Sequence, residues 1–187
     1  MPLWLSISCW FVASCVTMSF LEFFVHRFVM HRRSLPRWAY GWIPGFNTVF
    51  QNHAVLHHGR YYKVFNHEDD PRGRKISIRL DLWIALVAGA VVWASTFHFS
   101  MVVGPVFASV ALLHHLAWNL VHEEMHNPKA RWFARTWVYR FLAHYHWMHH
   151  KYPGRNYNVI FPCADFVFGK YRKPNQTDIA QMRALGL

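Results

Sequence analysis

The sequence has little of what builds a disulfide-stapled or nucleotide-binding domain. Its 187 residues include three cysteines, an odd number without metal-site spacing, which argues against a disulfide framework. Acidic residues are scarce, at nine against 20 lysines and arginines. The chain contains no internal repeat, no glycine-rich phosphate loop and no nucleic-acid-binding motif. We therefore attribute the net charge of +11 to membrane topology and lipid contact, and expect no nucleic-acid partner.

Basic residues are absent from two long apolar stretches of the chain. Residues 1–26 and 80–121 contain no lysine or arginine, whereas residues 27–79 and 122–187 contain ten each. A membrane-spanning helix needs roughly 20 mainly apolar residues. The pattern predicts three spans, at about 3–25, 76–97 and 101–121. The first stretch lacks the positive n-region of a cleaved signal peptide, so we expect it to be retained as an anchor.

This segregation of charge predicts an all-α integral membrane protein with one domain, residues 1–187. About three transmembrane helices would be joined by interfacial helices, and segments 26–75 and 122–170 would form a histidine-bearing cap. The positive-inside rule places the basic cap in the cytoplasm. The membrane would be the inner or plasma membrane of a bacterium, or the endoplasmic reticulum of a eukaryote. The alternative for each apolar stretch is a buried core helix of a soluble protein.

Ten of the 15 histidines form four spaced motifs. In chain order they are His26 and His31; His53, His57 and His58; His122 and His126; and His146, His149 and His150. Residues three or four apart share a helix face, which pairs His53 with His57 and His146 with both His149 and His150. Neutral imidazole is the commonest metal ligand. Ten imidazoles are too many for one ion, so we expect a two-metal site. Zinc, copper, iron and nickel all accept imidazole, so the metal stays open.

Glu22 is a candidate support for the first histidine motif. It lies one turn before His26, where its carboxylate can accept the second imidazole N–H and fix the tautomer. The alternative is an interfacial carboxylate near the lipid headgroups. His26 and His31 are five residues apart, which is not one face of an α-helix. They can converge if the helix frays or bends.

Other polar residues near the motifs have weaker signals. Asn119 shares a narrow helical arc with His115 and the third motif, which suits either a water-holding group near the metal or an interhelical hydrogen bond. His144 projects away from His146, so we expect it to support a ligand indirectly or to lie at the surface. His98 and His114 are expected not to bind metal, and His67 is a lone histidine in a polar turn.

The four motifs, in this order around a hydrophobic hairpin, resemble the fatty acid hydroxylase superfamily. That group includes sterol desaturases and methyl oxidases, fatty acid and sphingolipid hydroxylases, and the short carotene hydroxylases. The resemblance runs from about His26 to Lys170 and includes Asn156-Tyr157 and Asp165-x-x-Phe168-Gly169. The combined pattern is specific, whereas any single motif is not. The chain departs from larger relatives in having three expected spans rather than four, and no fused cytochrome or ferredoxin domain.

The resemblance implies a non-haem di-iron centre that faces the cytoplasm and uses O2 and two electrons to attack an unactivated C–H bond of a lipid. The implied ligands are His26, His31, His53, His57, His58, His122, His126, His146, His149 and His150. Glu22, Asn119, His144 and Asp165 are the candidates for supporting them. Zinc can replace iron in purified samples. Electrons would come from a separate protein of the ferredoxin or cytochrome b5 type.

Several functional readings stay open at this point. The substrate would be a fatty acyl, sterol or isoprenoid lipid, and hydroxylation is the leading reaction. Desaturation follows from the same chemistry. A histidine-rich metal transporter or metal-binding membrane protein is an alternative from another class, but its ligands should lie near the middle of the membrane. A non-catalytic scaffold is a further alternative.

Overall fold

The computed structural model describes residues 2–34, 36–42, 45–62, 65, 90, 94 and 101–187. Within these ranges the regular secondary structure is helical and contains no strand, which confirms the all-α class for this part of the chain. The expected middle span, residues 76–97, lies outside the described residues apart from Ala90 and Ala94. His67 and His98 also lie outside them.

The helices are numbered here over the described residues. They are α1 (Leu3–Phe24), continued by the π-helix π1 (Val25–Met30); α2 (Arg37–Trp42); α3 (Phe46–Phe50), continued by the π-helix π2 (Gln51–Tyr61); α4 (Val103–His126); a 3-10 helix (Trp132–Arg135); α5 (Trp137–Lys151); α6 (Cys163–Val167); and α7 (Gln176–Ala184).

Two helices are long and apolar enough to cross a membrane, Leu3–Met30 and Val103–His126. They pack against each other. In their most apolar stretches only 11% and 22% of the residues are buried, whereas the core helix of a soluble protein would be mostly buried. Both helices run about one turn beyond the expected ends of the spans, and these extra turns carry histidines. Pro105 lies in the first turn of α4, where its missing N–H breaks no helical hydrogen bond.

The buried core of the described chain lies on α4, α5 and the segment that follows them. One apolar cluster joins Met125, Ala143, Met148 and Val159, and Met182 of α7 closes it. A smaller cluster packs Phe23 of α1 against Tyr157 and Ala164. The two clusters bring the C-terminal ends of α1 and α4 beside α5. Histidine side chains fill the space between these ends.

Candidate metal centre

The ten histidines of the four motifs converge in two groups of five. The first group is His26, His31, His53, His58 and His149; the second group is His57, His122, His126, His146 and His150. In each group one ring nitrogen from every residue lies within 4.8 Å of the others. The described histidines at 114, 115 and 144 belong to neither group. The two groups have the donor type and the spacing of metal sites.

Two π-helices explain how histidines five residues apart enter the same group. A π-helix closes its hydrogen bonds between residues i and i+5. The amide of His31 accordingly donates to the carbonyl of His26 at 3.0 Å, which brings both rings to one side of the chain. His53 and His58 have the same spacing within π2. The first motif therefore converges through a change of helix type, without fraying.

His53 and His57 were expected to pair on one face of an α-helix; their rings stack, with centroids 5.2 Å apart, but they belong to different groups. In π2 the partner of His53 is His58, and His57 turns into the second group. The last motif is also divided. His146 shares the second group with the residue four positions later, whereas His149 points into the first group.

Each His-His pair contributes one ring to each group, and so the two groups adjoin. His57 and His149 lie in opposite groups from their neighbours in sequence, His58 and His150. The rings of His58 and His150 stack across the boundary, with centroids 4.1 Å apart and planes at 24°. The two groups are therefore in contact through these two rings and form one candidate centre.

In the first group the Nε2 atoms face one another at short range. Nε2 of His53 lies 2.8 Å from Nε2 of His26 and 3.0 Å from that of His31. Nε2 of His31 lies 2.9 Å from that of His149. Imidazole nitrogens about 2.1 Å from one ion and at right angles to each other are about 3.0 Å apart. The observed spacing therefore fits nitrogens that share an ion.

The second group has the same spacing. Nε2 of His146 lies 3.1 Å from Nε2 of His126 and 3.1 Å from Nε2 of His150. The Nε2 atoms of His57 and His122 are buried without a hydrogen-bond partner among the described residues. An unpaired buried polar atom costs about 1–3 kcal/mol. A cation between these nitrogens would remove that cost.

Backbone carbonyls select the ring nitrogen that faces the first group. His26 donates its Nδ1–H to the carbonyl of Tyr157, and His149 donates its own to the carbonyl of Arg155 at 2.8 Å. Each of these rings therefore presents the lone pair of Nε2 to the group. Facing lone pairs repel each other unless a positive charge lies between them. Carbonyl acceptors of this kind orient metal-binding histidines and raise their basicity.

A different part of the chain supplies the carbonyls for the second group. His150 donates its Nδ1–H to the carbonyl of Tyr62 at 2.9 Å, just after π2. Nδ1 of His126 lies 3.4 Å from the carbonyl of Phe65. The rings of Tyr62 and Phe65 also pack on His126, with centroids 4.8 and 5.0 Å away.

Burial keeps the imidazoles outside the two long apolar helices neutral. It lowers the pKa of His149 to about 4. Burial, together with repulsion from the neighbouring rings, lowers the pKa of His53, His57 and His58 well below the usual range. Neutral imidazole is the form that binds metal ions. At neutral pH the donor set therefore fits a metal without first losing protons.

Glu22 does not support His26, because the carbonyl of Tyr157 occupies that position. Its carboxylate instead accepts the indole N–H of Trp118 at 3.0 Å. The indole ring stacks on His122, with centroids 4.6 Å apart and planes at 18°. Glu22 thus reaches the second group through an aromatic ring, which its position one turn before His26 did not indicate.

The other three candidate supports have no described hydrogen bond to a histidine of either group. Asn119 donates to the carbonyl of His115 at 3.0 Å and lies 3.2 Å from its Nε2. His144 belongs to neither group and lies close to the backbone of Leu187, with its Nε2 buried and without a hydrogen-bond partner among the described residues. Asp165 is buried and has no hydrogen bond to a histidine of either group among the described contacts. It acts on the segment that contains Tyr157.

Sequence reasoning missed the backbone acceptors of the centre. Every residue has a carbonyl, so side-chain patterns carry no signal for Arg155, Tyr62 or Phe65. Tyr157 is the exception, because Asn156-Tyr157 is part of the segment that resembles the fatty acid hydroxylases. The structure gives that segment a physical role beside the first group.

No family model matches the chain, and no match is found among curated proteins or among solved structures. The resemblance to the fatty acid hydroxylase superfamily therefore rests on the residues and their spacing.

Proposed function

We propose that the chain is a membrane-bound di-iron oxygenase that hydroxylates a C–H bond of a lipid. O2 would be the oxidant, and a separate electron-transfer protein would supply the electrons. The observation that carries this proposal is the convergence of ten imidazoles into two adjoining groups of five. The motif order that resembles the fatty acid hydroxylases supports the same reaction class.

The number of donors supports two ions that accept high coordination numbers. Structural zinc is almost always bound by four ligands in a tetrahedron. Five nitrogens exceed that number, and in a six-coordinate ion they leave one position for a small molecule. Iron meets this requirement, whereas zinc would leave donors unused or adopt a less usual geometry. Bound iron would supply the activation of O2 and the oxidation of the C–H bond.

The protein's own residues would hold and shield this chemistry. Carbonyls of residues 62, 65, 155 and 157 keep four of the rings in one orientation. Trp118 covers His122, and Tyr62 and Phe65 cover His126. Such packing excludes bulk water from the second group, and a reactive oxidant needs that protection. No acidic or basic side chain is required to attack the substrate.

Membrane attachment supports a lipid as the substrate. The two long apolar helices leave most of their apolar surface uncovered over the described residues. Tryptophans follow both of them: Trp38, Trp42, Trp132 and Trp137 are between 62% and 84% exposed. Tryptophan is enriched at the membrane interface. In this arrangement lipid chains would lie beside the helices that end at the metal centre.

The remaining topology follows from charge. Residues 76–97 would add a third span and pair with α4 as a hairpin. The positive-inside rule would then place the histidines in the cytoplasm, on the side of the basic segments. An electron-transfer protein with an acidic face would dock there.

The position of the centre argues against a transport role. His26 lies in π1, just after α1, and His122 and His126 lie in the last two turns of α4. The ten rings therefore gather at one end of both apolar helices. A transporter needs its sites near the middle of the membrane, along a path.

The test combines metal analysis with a product screen. The full chain is purified in detergent, loaded with Fe(II) without oxygen, and analysed for ions per chain. It is then exposed to 18O2 with a chemical reductant and a panel of fatty acyl, sterol and isoprenoid lipids. We expect two ions per chain and one 18O atom in a lipid product. A folded protein that binds two ions but oxidises no lipid would overturn the oxygenase, and an unlabelled alkene would favour desaturation.

A further inference from the structure

The two groups of histidines take their carbonyl acceptors from two separate segments. Arg155 and Tyr157, after the last motif, serve His149 and His26 of the first group. Residues 62 and 65, after π2, serve the second group. A residue that holds only one of these segments would therefore act on only one half of the centre.

Asp165 is such a residue for the segment at 155–158. It is fully buried, at 0% exposure. One carboxylate oxygen, Oδ2, accepts the backbone N–H of Asn158 at 2.7 Å and the hydroxyl of Tyr145 at 2.9 Å. The backbone N–H of Asp165 donates in return to Oδ1 of Asn158 at 3.3 Å. Asn158 is thus held from its backbone and from its side chain, one residue after the carbonyl that His26 uses.

The same segment is fixed to α1 on its other side. The side chain of Asn158 donates to the carbonyl of Ser19 at 2.8 Å and to Glu22 at 3.2 Å. Ser19 Oγ accepts the backbone N–H of Ala164, next to Asp165, at 3.0 Å. These buried bonds join α1, residues 155–158 and α6 into one unit. None of the bonds named here involves Tyr62 or Phe65.

The backbone conformation makes the carbonyl pair sensitive to this support. Asn156 lies between the two carbonyls and has a φ of 53°. Asparagine tolerates this left-handed conformation better than most residues other than glycine, and a neighbouring hydrogen bond stabilises it here. The side chain of Asn156 accepts the backbone N–H of Arg172 at 2.7 Å, which bends the segment back towards the chain after α6.

We propose that Asp165 is a positioning residue for the ion bound by the first group, a step that rests on the proposed metal centre. It holds residues 155–158 so that the carbonyls of Arg155 and Tyr157 keep the protons of His149 and His26 on Nδ1. Without it, the carbonyls move away and the two rings lose their fixed tautomer. Loss of such an indirect support typically costs 10- to 100-fold in metal affinity.

The test measures the affinity of each group separately. Zn2+ is titrated into the metal-free full chain in competition with a chromogenic chelator, which resolves tight and weak sites without any need for activity. We expect Asp165→Ala to weaken one of two sites by roughly 10- to 100-fold and to leave the other within about threefold of the wild-type value. Asp165→Asn keeps an oxygen that can accept from Asn158 and Tyr145, so most of the affinity should return.

Asp178→Ala is the matched control. Asp178 is also fully buried in the C-terminal part of the chain, but it bonds to Lys151 and Asn175. It should leave both sites intact. If Asp165→Ala fails to fold, Tyr145→Phe, which removes one hydroxyl from the carboxylate, replaces it and should weaken the same site by a smaller factor.

The outcomes separate this proposal from the proposed function. Equal loss at both sites in Asp165→Ala, or no loss at either, would overturn the positioning role while the metal centre stands. Wild-type protein that binds fewer than two ions would overturn the di-metal centre itself, and this proposal with it.

Discussion

Two adjacent histidines near the end of α5 point into different halves of the centre. His149 belongs to the first group, and His150 belongs to the second. We expect His149→Ala to lose the ion of the first group and keep the other, and His150→Ala to do the reverse. Removing one of five nitrogens also breaks the carbonyl support at Arg155 or Tyr62, respectively. The measurement is metal content per chain. We expect one ion in each single variant and none in the double variant.

His144→Ala is the control for these variants. It lies on the same helix but belongs to neither group. It should retain two ions. If each single variant lost both ions while remaining folded, the two groups would not be separable sites.

Glu22 is a buried carboxylate that stabilises the fold by accepting several hydrogen bonds. Trp118, Asn158 and the backbone of Val159 all donate to it. Glu22→Ala would remove the acceptor of the Trp118 indole and of the Val159 amide, and one of the two acceptors of the Asn158 side chain. A buried donor left without an acceptor costs about 1–3 kcal/mol. We expect a large drop in the free energy of unfolding. Thermal unfolding of the variant in detergent measures this drop.

The control for Glu22 is a carboxylate in an exposed setting. Glu123 is 41% exposed and pairs with Lys129 and Arg131. Exposed pairs contribute about 0–1 kcal/mol, so Glu123→Ala should unfold close to the wild-type temperature. Equal unfolding temperatures for the Glu22 and Glu123 variants would show that the buried contacts are weak.

At the scale of elements, the π-helices set the register of the centre. Val55 lies between His53 and His57 in π2 and is 45% exposed. Deleting Val55 would shorten the spacing of His53 and His58 from five to four and rotate one end of π2 against the other. We expect at least one ion to be lost, whereas Val55→Ala keeps the spacing and should keep both ions. A deletion variant that retained two ions would show that the i+5 register is unnecessary.

The positions of the helices could be predicted from sequence better than their type. Apolar length predicts α1 and α4, and histidine spacing predicts that the motifs meet. Hydrophobic periodicity does not distinguish an α-helix from a π-helix, because the same residue types form both. The division of His57 from His53, and of His149 from His146, could therefore not be read from spacing. This division depends on how π2 and α5 pack around the space that the ten histidines fill.

The supports of the centre were less predictable than its donors. Glu22 is a candidate because it lies one turn before His26, and Asp165 is a candidate through the family resemblance, but their partners come from distant parts of the chain. Glu22 contacts Trp118 and Val159, and Asp165 contacts Tyr145. Contacts of this kind depend on the tertiary fold. A pattern along one helix, such as the stripe that contains Asn119, cannot reveal them.

At the scale of the whole molecule, packing many imidazoles together makes stability depend on pH. Seven of them lie outside the two long apolar helices, and burial lowers the pKa of each: His31, His53, His57, His58, His146, His149 and His150. The unfolded chain binds protons to these residues from about pH 6.5 downward. The folded chain does not, so the free energy of unfolding must fall as the pH falls.

The pH range of this effect lies between the pKa of a histidine in the unfolded chain and its lowered pKa in the fold. Metal-free protein should lose stability progressively from about pH 6.5 towards pH 4, where His149 also takes up a proton in the fold. Each such histidine contributes up to about 1.4 kcal/mol per pH unit inside its window. Burial raises the pKa of Asp165, which acts in the opposite direction. The seven imidazoles outnumber the buried carboxyl groups that act in this direction, so acid should destabilise the fold.

Denaturant unfolding of the metal-free chain in detergent, between pH 7.5 and 5, measures this effect. His58→Gln removes one of the seven titrating rings and should give a shallower decline, whatever its stability at pH 7.5. A free energy of unfolding that stayed level or rose on acidification would mean that the metal-free histidines are not packed together and neutral. The closed arrangement of the two groups would then require the metal ions themselves, because an unpacked ring keeps its ordinary pKa and adds no dependence on pH.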